Sequence, residues 1–139
     1  MTDRIFIDSN VWCYLFIREE HEKFRIAENF LYEMANNSIF VISYQVINEV
    51  TNKLIQKKIK SELVKENVQY MHKLCMIQNF SSEIIMSAFT LRENYSLSFW
   101  DSIIVSSALK SNCNILASED MQDSLRIDNM TIKNIFCKL

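Results

Sequence analysis

The stretch Arg4-Ile5-Phe6-Ile7-Asp8 decides the fold: an apolar run without polar alternation, closed by a carboxylate. A strand with one wet face alternates apolar and polar side chains, so this run suits a strand covered on both faces, as in a parallel sheet. Ser38-Ile39-Phe40-Val41-Ile42-Ser43 repeats the pattern, and Cys113-Asn114-Ile115-Leu116-Ala117 does so again. Cys75–Phe80 and Thr131–Phe136 are weaker strands of the same kind.

Long stretches with helical spacing separate these runs. Glu19–Met34 places Phe24, Ala27, Leu31 and Met34 on one side, and Tyr44–Lys58 does the same with Val46, Val50 and Leu54. Ser61–Leu74 and Ser82–Tyr95 continue the pattern, with serine and glutamate at their openings as helix starts require. Phe99–Lys110 is predicted to bury Trp100, Ile104 and Ala108, with Ser107 and Ser111 small enough for close approach to the sheet. Strand and helix alternate, which predicts an α/β sandwich with a mostly parallel sheet and ligands at the carboxyl ends of its strands.

The chain has 139 residues and 16.5 kDa, and 49% of it is hydrophobic, which predicts one domain over 1–139 with a substantial core. It contains no Gly and no Pro. Phosphate-cradling P-loops, dinucleotide GxGxxG turns and G-x-S-x-G nucleophile elbows are thereby excluded. Turns must rely on Asn, Asp and Ser, as at Asn36-Asn37 and Ser111-Asn112. The net charge of −2 attracts no nucleic acid globally, so any such partner needs a local basic strip. Cys13, Cys75, Cys113 and Cys137 are widely spaced, as expected of reduced thiols in a cytoplasmic protein. The apolar stretch Val11–Ile17 is too short to span a membrane, and no membrane partner is expected.

Asp8 stands at the end of the first strand, where a charge against the core must be solvated, bonded or matched by a cation. Asp8 or Ser9 equally reads as the cap of a following helix. Glu49 flanks the apolar face of its helix, with an i,i+4 pair to Lys53 as the plainer reading. Asp101 lies three positions after Ser98, where it also fits a capping box. Asp120 follows the third strand, with Glu119 and Asp123 near enough to compete for its assignment. Carboxylates gathered at one edge would repel strongly, and a divalent cation relieves that repulsion. Oxygen-only donors, with His21 and His72 isolated, favour Mg²⁺ or Mn²⁺ over Zn²⁺. A carboxylate-held metal without a protein nucleophile points to water as nucleophile and a phosphodiester as substrate.

Four spaced motifs agree with one family: Phe6-Ile7-Asp8-Ser9-Asn10-Val11, Ser43-Tyr44-Gln45-Val46-Ile47-Asn48-Glu49-Val50, Leu97-Ser98-Phe99-Trp100-Asp101-Ser102 and Ile115-Leu116-Ala117-Ser118-Glu119-Asp120-Met121-Gln122. In this order they resemble the PIN-domain nucleases and, more narrowly, the VapC toxins of bacterial toxin–antitoxin pairs. The resemblance implies a three-layer α/β/α fold around a short parallel sheet and Mg²⁺- or Mn²⁺-dependent endoribonuclease activity. By motif position Asp8 and Asp101 are the principal metal ligands, Glu49 completes the acidic pocket, and Asp120 holds a second ion or its waters. Asn10 and Ser118 orient that shell. Relatives often carry a glycine where this chain has Ser124. The expected products carry 5′-phosphate and 3′-hydroxyl ends. A homodimer and an antitoxin whose C-terminal segment covers the active-site groove are further expectations of the resemblance.

Lys53, Lys57, Lys58 and Lys60 form the densest basic cluster, with Arg18, Lys23 and Arg25 next; each reads either as an RNA contact or as a solvated helix face. Trp12, Tyr14 and Phe16 exceed what a short connector needs and are expected to face a partner. A haloacid-dehalogenase-like phosphatase also places an Asp after its first strand, but it needs a second Asp where this chain has Asn10. A PIN-fold module that binds RNA or protein without cutting is the other alternative; the presence of all four acids opposes it.

Overall fold

A computed structural model describes residues 2–137. The elements run β1 (Asp3–Ile7), α1 (Ser9–Ile17), α2 (His21–Met34), β2 (Ser38–Ser43), α3 (Tyr44–Gln56), α4 (Ser61–Leu74), β3 (Cys75–Gln78), α5 (Ser82–Tyr95), α6 (Phe99–Lys110), β4 (Ile115–Ala117), β5 (Arg126–Ile127) and β6 (Met130–Lys133). One six-stranded sheet has the order β3-β2-β1-β4-β6-β5. All neighbours are parallel except the β5–β6 hairpin. Helices flank the sheet: α1 packs on α2 and α3, α3 on α4, while α5 pairs with α6 and α6 lies against β2 and β3. The architecture is the α/β sandwich that the apolar runs predict.

Strand order fixes the important edge. From β1 the chain moves outward through β2 and β3, then returns to β4 on the other side of β1. The reversal leaves a crevice at the carboxyl ends of β1 and β4, the place where open parallel sheets bind ligands. Asp8 N–H continues the ladder by donating to Ala117 O at 2.9 Å, so the first residues after both strands stand side by side.

Ile5, Phe6 and Ile7 are fully buried, as a strand covered on both faces requires. On α3, Val46, Ile47, Val50 and Leu54 face the core. Seven consecutive residues of α6, Ser102–Ala108, are buried, with Ser106 Oγ donating to Ile84 O at 2.8 Å. The small side chains Ser107 and Ser111 are buried too, consistent with close approach.

Two aromatic assignments are corrected. Trp12 is fully buried rather than facing a partner: α1 is wedged against two helices, and the indole Nε1 donates to Ile7 O at 3.3 Å. Phe16 packs on Trp12 and Tyr70, and Tyr14 bonds Glu119, so both are half-buried components of the same packing. Trp100, expected inside, is 64% exposed. It lies in the first turn of α6, before the segment Ser102–Ala108 enters the interior.

Without glycine, left-handed turns fall on Arg18, Lys58, Ser96, Asn112, Ser124 and Asp128. Asn112 is the residue expected at such a turn, whereas Asn36 and Asn37 keep negative φ. Ser124 has φ 67°, at the position where the family resemblance anticipates glycine.

Candidate active site

Two of the four predicted acids, Asp8 and Asp101, owe their placement to rules of helix starting. Asp8 caps α1: Oδ1 accepts from Ser9 N–H at 2.7 Å, and Oδ2 accepts from Ser118 Oγ at 2.8 Å. Capping and a position beside other acids therefore coexist in one residue. Asp101 occupies the third position of α6, with its N–H donated to Ser98 Oγ at 3.1 Å. Glu49 lies in the second turn of α3, where the Ser9 and Gln45 side chains act to lower its pKa. Asp120 is exposed in the loop after β4.

These acids interact electrostatically. Burial pushes the Asp8 carboxyl up to about 6, against the pull of its two hydrogen bonds, and Glu49 and Asp101 raise it further. Glu49 is raised first by partial desolvation at the rim, then by Asp101 and Asp120. Asp101 is raised by desolvation and by Asp120. Glu49 does not pair with Lys53, so the plainer i,i+4 reading is not realised.

Among the described residues, no three His, Cys, Asp or Glu side chains stand close enough to hold a metal ion as they are. The donor chemistry nevertheless fits a hard cation. All donors are oxygens, the buried Asp8 carboxyl lacks a cationic partner, and Mg²⁺ commonly takes one or two carboxylates and keeps several waters. Asn10 stands against the same edge: its Oδ1 accepts from Glu119 N–H at 3.4 Å, while its Nδ2 is buried without a partner.

The PIN domain family model matches residues 5–127. The chain belongs to the PIN domain family. Among curated protein sequences none matches it significantly. Solved structures with the same fold include VapBC2 of Rickettsia felis bound to a promoter DNA fragment, with 20% identity, TM-score 0.71, and 94% of this chain covering 97% of that one. A toxin–antitoxin complex from Klebsiella pneumoniae gives 19% identity and TM-score 0.71, with 94% and 97% covered. VapC20 of Mycobacterium tuberculosis, a toxin that cleaves the sarcin–ricin loop, gives 14% identity and TM-score 0.64, with 81% and 86% covered.

In this PIN domain the competing acids are otherwise engaged. Glu119 accepts from Tyr14 Oη at 2.6 Å and from Lys23 Nζ at 2.5 Å, and Asp123 Oδ1 accepts from Asn134 N–H at 2.8 Å. Lys23 is thus committed to Glu119, whose bond holds the ammonium above its ordinary pKa. Arg18 lies over the Phe24 ring, and Lys57 pairs with Glu19 at 3.1 Å. Lys58 forms a turn and Lys60 precedes α4. Lys53 has no ion-pair partner among the described residues and lines a cleft of about 370 Å³ that also contains Asn10 and Glu49.

Burial raises the Cys13 thiol to about 11 and Cys75 and Cys113 to about 12, which opposes thiolate chemistry. No described helix is long and apolar enough to cross a membrane. Sequence reasoning missed Ser9 and Gln45 as partners of Glu49. Gln45 was legible only as the residue one turn before Glu49 on the same face.

Proposed function

We propose that the chain is a Mg²⁺- or Mn²⁺-dependent endoribonuclease and the toxin of a toxin–antitoxin pair. The observation that carries this reading is the buried Asp8 carboxyl at the β1–β4 crevice, within electrostatic reach of Glu49 and Asp101. Asp8 and Asp101 are the principal metal-holding residues, Glu49 completes the pocket, and Asp120 holds a second ion or its waters. A divalent ion supplies Lewis acidity toward a phosphodiester and counter-charge for the acids.

The protein's own groups supply positioning. Ser118 Oγ and Ser9 N–H fix both oxygens of Asp8, so its carboxylate plane is set before a ligand arrives. Asn10 has a buried amide donor without a partner, and Lys53 offers an unpaired ammonium on the cleft that both line. Lys53 is the strongest RNA contact of the basic cluster; Lys57, Lys58 and Lys60 extend it more weakly. Toxin–antitoxin complexes among the similar structures support an antitoxin protein as partner, and a homodimer is part of the same proposal.

The test is cleavage of total RNA by the purified chain in Mg²⁺, Mn²⁺ or EDTA, beside Asp8→Asn and Asp101→Asn. Metal-dependent cutting that both substitutions abolish, with 5′-phosphate products, is expected. Cutting in EDTA, or undiminished cutting by both variants, overturns the assignment.

A further inference from the structure

Two depressions flank the acidic edge, and Glu49 belongs to the rim of both. One is the cleft with Asn10 and Lys53. The other, about 710 Å³, is lined by Tyr44, Gln45, Phe80, Phe99 and Trp100. Gln45, Glu49 and Lys53 follow one another at four-residue intervals along α3, so they form a row with a rise of about 6 Å per step. The row joins an aromatic groove, an acidic centre and a free cation in that order. Those are the parts needed to hold a base, a scissile phosphate and the next phosphate of one strand.

The aromatic groove is not core. Tyr44 is 47% exposed, Phe80 61% and Trp100 64%. Phe99 meets Trp100 edge-on at 5.3 Å, which orients the indole plane, and Gln45 Nε2 donates to Trp100 O at 3.4 Å. The remaining polar atom of that amide, Gln45 Oε1, is buried without a partner. A groove with a flat exposed indole and one unanswered acceptor calls for a ligand with a flat face and an N–H edge. Nucleobases have both, and stacking on aromatic side chains is how single-stranded RNA is commonly held.

We propose that this groove is a nucleobase subsite, in which the base next to the scissile phosphate stacks on Trp100 and donates from its exocyclic amino group to Gln45 Oε1. The inference rests on the ribonuclease reading above. It deepens that reading by assigning specificity: adenine, cytosine and guanine carry an exocyclic amine, and uracil does not. A second copy of the chain is the less suitable occupant. Its apolar face would cover the Glu49 carboxylate in a groove that no cation lines.

Trp12 is fully buried and Trp100 exposed, so quenching of tryptophan fluorescence by an added ligand reports on Trp100. The full chain carrying Asp8→Asn, in Mg²⁺, is titrated with short oligoadenylate and oligouridylate. Saturable quenching, tighter for oligoadenylate, is expected; in a binding assay that does not read tryptophan fluorescence Trp100→Ala loses affinity and Trp100→Phe recovers it, while Gln45→Ala removes the preference for adenine. In the otherwise unmodified enzyme Trp100→Ala raises KM about tenfold with a smaller change in kcat.

Metal-dependent cutting without quenching, and with KM unchanged in Trp100→Ala, overturns the subsite and leaves the nuclease intact. Quenching with no metal-dependent cutting supports the subsite and overturns the nuclease. Equal affinity for the two oligonucleotides overturns the role of Gln45. If Trp100 is shielded from acrylamide without RNA, in a dimer that Trp100→Ala dissolves, the groove is a self-association face and the proposal fails.

Discussion

Asp8→Asn should make the metal-free protein more stable at neutral pH while removing activity. Asp8 is 6% exposed, and its carboxyl is pushed up from 3.8 to about 6 in the fold. Between those values the native state binds the proton more tightly than the unfolded chain does. Stability therefore falls as pH rises through this window and levels off above it. At about 1.36 kcal/mol per unit that rise amounts to roughly 3 kcal/mol of destabilisation once the carboxyl is ionised. Asparagine keeps an oxygen for Ser9 N–H and an amide that can face the Ser118 hydroxyl, so the neutral side chain retains most of the local bonding. Urea unfolding in EDTA, at several pH values from 4 to 8, should show the two proteins nearly equal at the acid end. The variant should be more stable by roughly 3 kcal/mol at the other end. Mg²⁺ should recover much of the difference for the unsubstituted chain only. A stability difference that does not change with pH would refute the claim that charge burial at Asp8 is the source.

Two further outcomes test the turn chemistry and the basic row. Ser124→Gly should raise stability by roughly 0.5 kcal/mol because a left-handed residue loses its Cβ clash, partly offset by greater freedom in the unfolded chain, while Ser124→Val should lower it; thermal unfolding in which both substitutions move the midpoint the same way contradicts this. Lys53→Ala should reduce the slope of log K for single-stranded RNA against log salt by about 0.7, whereas Lys23→Ala, already paired with Glu119, should leave the slope unchanged. Equal effects of the two lysines on that slope would remove Lys53 from the RNA path.

The parts of this protein that are legible in its sequence are those governed by one local rule. Unbroken apolar runs mark β1 and β2 because both faces are covered, and Ser98 followed by Asp101 marks the start of α6 because the cap fixes the spacing. Asp8 as the cap of α1 is legible for the same reason. Trp12 and Trp100 were exchanged between inside and outside because periodicity gives a face but not the point at which a helix enters the sandwich. In α6 the buried segment is continuous over two turns, so the pattern carries little directional information there. Glu119 and Asp120 are adjacent, and only the fold separates them, by bringing Lys23 and Tyr14 from α2 and α1 to the former. The hairpin strand β5 has two residues and offers no pattern to read.

The placement of the acids also explains how so negative an edge can fold without a ligand. Asp8 caps α1 and Asp101 sits in the first turn of α6, so each carboxylate stands at the positive end of a helix dipole. Ser9 and Gln45 favour the charged form of Glu49, and Asp120 remains in solvent. Each charge thus has a local source of stabilisation that operates during folding, before any cation is needed. That support is incomplete: Asp8, Glu49 and Asp101 all remain above their ordinary pKa values. That residual penalty, first desolvation and then mutual repulsion, is free energy a divalent ion would recover under the proposed function. A site supported entirely by the protein would have no such preference, whereas one with no support would not fold; this chain lies between those limits, and Asp8 is where the difference is concentrated.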